Sequence, residues 1–160
     1  MRHSLSALSL ATGFLSVLSV GVIGASEVEP IVVTLADSDR AYLSIGAWGE
    51  LGMTEEGCLV IDETSLMIWQ TGTRASRTED GRIEVIDGTT GKRVYVGDTI
   101  GFGGGGAAVP YPDELLTAPV PEPCRALGFT MGAWIQTPAE LEEQARKRAS
   151  TPPVASPPGY

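Results

Sequence analysis

Asparagine is absent from this 160-residue chain, and histidine occurs once, as His3. Without asparagine there is no N-glycosylation acceptor. With the one imidazole three residues from the start, the rest of the chain cannot assemble a Ser-His-Asp or Cys-His centre or an imidazole zinc site from its own residues. A Ser-Lys dyad is no substitute, because neither Lys92 nor Lys147 stands in a Ser-x-x-Lys frame. Cysteine is scarce too. Cys58 and Cys124 are the only two, and no Cys-x-x-Cys spacing marks a redox centre. Cations are outnumbered: with Arg2 set aside, 20 acidic residues face 10 basic ones, for a formal charge of −10. Phosphate backbones and anionic lipid surfaces repel such a chain, so no nucleic acid is expected as a partner.

What is present begins with an address. Met1, Arg2 and His3 give a basic start, residues 5–23 carry no charge, and Gly24, Ala25 and Ser26 lead out to Glu27. This order of basic, apolar and small residues predicts a secretory signal peptide over about residues 1–25. The uncharged run is long enough to span a bilayer as an uncleaved anchor. Its Ser and Thr content and small-residue exit favour cleavage, and no stable membrane insertion is expected afterwards. The protein is therefore expected to be secreted or periplasmic. No Cys follows the apolar run, which removes lipoprotein attachment. In an oxidising compartment an isolated Cys58 and Cys124 predict one structural disulfide, worth about 4 kcal/mol for a loop of this length.

The remainder is long enough for one domain. Residues 26–39 read as a linker or a first strand around residues 31–35. A β-domain follows over residues 40–136. Residues 41–48 alternate with period two, as a strand does. Residues 58–61 and 66–69 are compact apolar runs around a four-residue turn and predict a hairpin. Residues 82–86 and 93–96 predict a second, with Gly88 and Gly91 in its turn. Gly97 and Asp98 bend the chain before Thr99 and Ile100, residues 101–123 read as a long irregular connection, and residues 129–135 as a late strand. Five or six short strands suggest an all-β fold, a small closed barrel of OB-like type, with a compact β-sandwich as the alternative. Thr137, Pro138 and Glu140 form a good helix start, predicting a polar, solvated helix over residues 137–149. Residues 150–160 are Pro-rich and predicted to be disordered.

Three patterns invite chemical readings. Residues 101–106 satisfy G-x-G-x-x-G, but the Pro-containing stretch behind them cannot open a helix, so a flexible turn is expected instead of a nucleotide site. Residues 88–93 lack the Gly and the Ser or Thr of a phosphate loop, and are expected to be a hairpin turn. Glu55, Glu56, Asp62, Glu63 and Asp98 are the candidates for a carboxylate acid–base pair as in glycoside hydrolysis, set against the simpler reading of solvated turn residues. No Asp-x-Asp-x-Asp-Gly frame supports a calcium site. Trp48, Trp69 and Trp134 fall on predicted strands. They are expected in the core, with an aromatic platform for sugar or peptide as the alternative. Tyr42 and Tyr95 are weaker candidates for such a platform.

Gly57-Cys58-Leu59-Val60, Ile68-Trp69-Gln70-Thr71-Gly72-Thr73, Val96-Gly97-Asp98, Gly103-Gly104-Gly105 and Cys124 ahead of the Trp134 strand occur in an order similar to that of a family of small exported bacterial single-domain β proteins of uncharacterised function. The resemblance covers roughly residues 40–136, with Gln70 where such sequences often carry Pro. It implies a single β-domain secured by Cys58 and Cys124, and it implies no activity. Neither catalytic residues nor a cofactor or metal are expected. The function expected is a binding or assembly module of the cell envelope, its partner an envelope protein or a small ligand. The alternatives are a carboxylate-based envelope hydrolase and an adaptor acting through the Pro-rich tail.

Overall fold

Two short runs that are apolar on both faces organise the molecule. Leu59, Val60 and Ile61 form β3 (Leu59–Ile61), and β4 (Ser65–Trp69) pairs antiparallel with it across a turn in which Asp62 and Glu63 both take positive φ. Leu59, Ile61, Met67 and Trp69 point into one core, and Val60, Leu66 and Ile68 into another. A strand buried on both sides shows no polar alternation, which is why these runs read as continuous hydrophobics. The structure, a computed structural model, describes residues 28–37, 46–107 and 111–150. The expected signal segment, residues 41–45 of the first alternating strand with Tyr42 among them, and the tail beyond Ser150 lie outside the described residues.

Around that hairpin a barrel closes. β2 (Gly46–Met53) pairs with β3 through residues 51–53 and with β8 (Thr99–Gly103) through residues 46–50. At the changeover stands Gly49, where a Cβ would come within 2.5 Å of the Ile61 side chain. β10 (Gly128–Gln136) runs antiparallel to β8 and parallel to β4, completing the circuit β2–β3–β4–β10–β8. One parallel pair among antiparallel ones, in this order, is the connectivity of an OB-type Greek-key barrel. β1 (Val33–Thr34) adds a parallel pairing to β4, and β9 (Gly106–Ala107) an antiparallel one to β10.

Between β4 and β8 the chain makes a three-stranded meander of β5 (Arg74–Arg77), β6 (Ile83–Ile86) and β7 (Arg93–Tyr95). Its Ile83, Val85 and Val94 join Leu51, Met67, Trp69, Ile100, Phe102 and Ile135 in the barrel core. The opposite face is polar: Glu84 accepts from Arg93 at 2.9 Å and from the Tyr95 hydroxyl at 3.1 Å. The second core lies outside the barrel wall. There residues 31–35 and the segment from Tyr111 to Leu127 cover Val60, Leu66 and Ile68, and the Cys58–Cys124 disulfide is buried among them.

The two expected hairpins are present, the second closed by Asp87, whose Oδ1 accepts from the N–H groups of Thr89 and Thr90. Other expectations need correction. The closed circuit has five strands, within the five or six expected, but the chain adds others outside it: β5 is a polar edge strand with no apolar alternation, and β1 and β9 are two-residue pairings. Residues 101–107 are not an irregular turn: Gly101 to Gly103 complete β8, and β9 follows. Gly101, Gly103 and Gly104 answer crowding. A Cβ on Gly104, at φ +144°, would sit 2.3 Å from the Met131 carbonyl oxygen. The helix α1 (Pro138–Ser150) has the expected capping box, Thr137 N–H to Glu140 Oε2 at 2.8 Å and Glu140 N–H to Thr137 Oγ1 at 3.4 Å. Its outer side is exposed as expected, while Leu141 and Gln144 on the inner side are half-buried. Leu141 lies over Gly101, and Lys92 ties Glu140 (2.8 Å) and the Ile135 carbonyl (2.9 Å) together.

Candidate functional site

The three tryptophans part company. Trp69 is wholly buried in the barrel core, as expected. Trp48 is 71% exposed and Trp134 53% exposed, and with Val28 they are the exposed large hydrophobic side chains among the described residues. The core assignment for Trp48 and Trp134 is therefore corrected.

Strand register explains the outcome for Trp48. Ala47 and Leu51 of β2 face the barrel core, so Gly46, Trp48 and Glu50 face outwards. Across the sheet, Gly46 is opposite Gly103, Trp48 opposite Gly101, and Glu50 opposite Thr99. Trp134 reaches the same face by a different route. The register of β10 against β8 shifts between Ala133 and Gln136, and Trp134 takes φ +50°. A bulge re-aims a side chain, and a non-glycine residue at positive φ is a local cost tolerated where the surroundings fix it. Here Ala133 and Ile135 stay buried while Trp134 turns out.

Glycine makes the face flat. A Cβ on Gly103 would meet the Trp134 ring at 2.6 Å, so the indole lies against the β8 backbone there. Gly46, the cross-strand partner of Gly103, has open space above it. Two residues further along β2 comes Trp48. From there a groove of about 390 Å³ runs between β2–β8 and α1, lined by Gly46, Trp48, Thr99, Gln136, Gln144 and Arg148 among others. From the strand spacing and rise, the two ring positions are on the order of 10 Å apart. The helical wall is held by Glu140, whose carboxyl is kept below the usual carboxylate range first by the Lys92 ammonium and then by the Thr137 N–H.

Three of the carboxylate candidates share one depression. Glu55, Asp62 and Glu63 line a depression of about 800 Å³ with Glu50, over Leu51, Gly52, Val60, Val96 and Gly97. Glu56 is not part of it. Asp98 is a turn residue whose Oδ2 accepts the Tyr95 N–H at 2.8 Å, and Asp62 Oδ1 accepts the Glu50 N–H at 2.9 Å. All four lining carboxylates stand in solvent, whereas an acid–base pair needs one carboxyl withdrawn from it. Tyr95 lies on the outer face of the meander, under the Arg82 guanidinium at 4.2 Å. Among the described residues no cluster of three or more His, Cys, Asp or Glu side chains is placed to hold a metal ion.

OB-type barrels commonly bind ligands on the outer face of their second and third strands. In this molecule those strands are β3 and β4, and their outer face is the disulfide-bearing second core. The β2–β8–β10 side of the barrel carries both exposed tryptophans, with Leu141 of α1 lying over Gly101 and the Trp134 ring over Gly103. Comparison of the chain with family models, with curated proteins and with solved structures finds no match.

Proposed function

We propose that this protein is an exported binding module of the cell envelope that holds its ligand on the β2–β8–β10 face and performs no catalysis. The observation that carries the reading is the outward placement of Trp48 and Trp134 on neighbouring parts of one rigid sheet face. An indole left in water forgoes the burial that makes Trp valuable to a core, and large exposed aromatics on regular strands mark recognition surfaces. The buried Cys58–Cys124 disulfide suits an oxidising compartment, in keeping with the signal peptide read from residues 1–25. No helix among the described residues is long and apolar enough to cross a membrane.

The test is chemical cross-linking in intact cells, recovery of the protein and mass spectrometry, comparing the native chain with the W48A/W134A double variant. The binding reading expects adducts on the native chain that the double variant loses. Equal adducts on both would remove this face from the function. Deleting residues 150–160 is expected to leave the adducts unchanged, and their loss would shift the function to the Pro-rich tail.

A further inference from the structure

We infer that residues 151–160 of this chain fold back along α1 and occupy the groove between α1 and Trp48, so that the Pro-rich segment covers this part of the face until a ligand displaces it. The inference goes beyond the binding-module reading, because it names what fills the groove when no ligand does.

The groove has a helical wall and an aromatic rim. Leu141, Gln144, Ala145 and Arg148 recur at three and four positions, so they form one stripe of α1 turned to the sheet. Leu141 is seated over Gly101, where a Cβ would stand 2.9 Å from its side chain, and this contact holds the helix across β8. Half-buried Ala47 and exposed Trp48 line the β2 side. Small apolar groups and an indole thus enclose about 390 Å³, a volume in the range of small-ligand sites.

The sequence brings the segment to this place. At the same spacing the stripe through positions 141, 145 and 148 continues to positions 151 and 152, so the chain leaves α1 on the groove side. Pro152 and Pro153 cannot prolong the helix. Polyproline II advances about 3.1 Å per residue against about 1.5 Å in an α-helix, so about five residues retrace the way from Ser150 to Leu141.

The chemistry of the two surfaces agrees. Polyproline II repeats every three residues, which sets Pro152, Ala155 and Pro158 on one edge and Val154, Pro157 and Tyr160 on a second. Both edges are apolar, and apolar edges are what an aromatic-lined groove takes from such a segment. Polyproline II has no internal hydrogen bonds, so its carbonyls need donors. The groove offers the Trp48 indole N–H, the Thr99 hydroxyl and the Gln136 and Gln144 amides. Gln144 Oε1 already accepts from Arg148 at 3.2 Å, which leaves its NH2 end to donate. Residues 151–160 carry no charge, and Arg148 is the one charged side chain among the described residues that line the groove. Tethering adds the rest: a short linker holds its segment at an effective concentration on the order of 1 mM, so a weak contact suffices. A ligand must displace the segment, which lowers its apparent affinity without changing which adducts form in cells.

The test uses the full chain with its disulfide intact and fluorotryptophan in place of tryptophan, read by fluorine NMR. The Trp48 signal is assigned by its loss in W48F. The comparison is P152G/P153G/P157G/P158G, which keeps the chain length and removes the polyproline II preference. In this variant the Trp48 signal should move, and its displacement between light and heavy water should rise toward that of an open indole. Trp69, sealed in the core, should not change. A145E, which puts a charge into the groove from the exposed side of α1, should raise the same solvent displacement, and combining it with the proline variant should add nothing. Far-UV circular dichroism of each variant guards against loss of fold. The inference is overturned if Trp48 reports the same solvent displacement in the native chain and the proline variant. A Trp48 signal of the native chain that changes on dilution would place a second copy's segment in the groove, and would overturn it too. If Trp48 ignores the proline variant while the Trp-dependent adducts in cells persist, the docked segment falls and the binding reading stands. If Trp48 responds and those adducts are absent, the groove is the segment's own seat and the binding reading falls.

Discussion

Replacing each tryptophan by alanine separates a binding face from a core most simply. Trp69 has no exposed surface, and its removal leaves a cavity between β4 and the meander, which for a large aromatic costs about 3–5 kcal/mol. Its indole N–H has no hydrogen-bond partner in the barrel. Deleting it relieves an unsatisfied donor worth about 1–3 kcal/mol, so the lower end of the range is expected. Trp48 is 71% exposed, leaving roughly three-tenths of the side chain covered. Taking about 200 Å² for a whole Trp, that is about 60 Å², or about 1.5 kcal/mol as an upper bound. Urea denaturation followed by far-UV circular dichroism reads the difference independently of tryptophan emission. Trp69→Ala should lower the midpoint at least twice as much as Trp48→Ala. A Trp48→Ala variant as unstable as Trp69→Ala would show that Trp48 is packed in solution, and would refute the reasoning that places a ligand on it.

Trp134→Gly relieves a left-handed backbone cost of about 1–2 kcal/mol while losing the contact with Gly103, so its stability should stay within about 1 kcal/mol of the native chain. A loss above 3 kcal/mol would make Trp134 a structural residue. The disulfide closes a loop with a sequence separation of 66 residues. The Cys58→Ala/Cys124→Ala variant should lose about 4 kcal/mol and on the order of 20 °C in Tm, and a shift below about 5 °C would contradict the packing of the outer core. Gly88→Ala places a Cβ 2.2 Å from the Thr71 carbonyl oxygen and 2.4 Å from the Thr73 nitrogen. Because backbone cannot yield cheaply, a loss of at least about 2 kcal/mol is expected in the same urea assay. For pH, Arg93 and then the Tyr95 hydroxyl hold the Glu84 carboxyl below its ordinary value, and the Val120 N–H and then Arg125 do the same for Asp113. Each lowered value contributes stability that is present above the unfolded-state pKa, about 4, and lost as pH falls through the folded one. Thermal melts should therefore decline below about pH 4, and Glu84→Gln should flatten that decline. An unchanged acid limb in Glu84→Gln would refute the role of the pair.

Sequence pattern made the barrel legible wherever burial alone decided the residues. The apolar runs at β3 and β4, the glycines of the β6–β7 turn and the capping box at Thr137 each announced their element. What stayed hidden depended on register and on distant neighbours. Alternation along residues 41–48 shows that Trp48 shares a face with Gly46, and says nothing of which face meets the core. Trp134 leaves the alternation altogether, because the β10 bulge turns it out between two buried neighbours. β5 was invisible because an edge strand of Arg, Ala, Ser and Arg satisfies the ladder with its backbone alone. The glycines from Gly101 to Gly104 look like a loop signal, yet they occur where side chains of β10 and α1 lie on the strand. Their neighbours come from residues 131–141, some thirty positions away, and no local window contains them.

The most direct test of the binding face is a photo-activated cross-linking residue placed singly at positions 99 and 144, which line the groove beside Trp48, in intact cells, with position 79 in the turn between β5 and β6 as control. Adducts at 99 and 144 and none at 79 are predicted. Labelling at all three positions alike, or at 79 alone, would contradict the account.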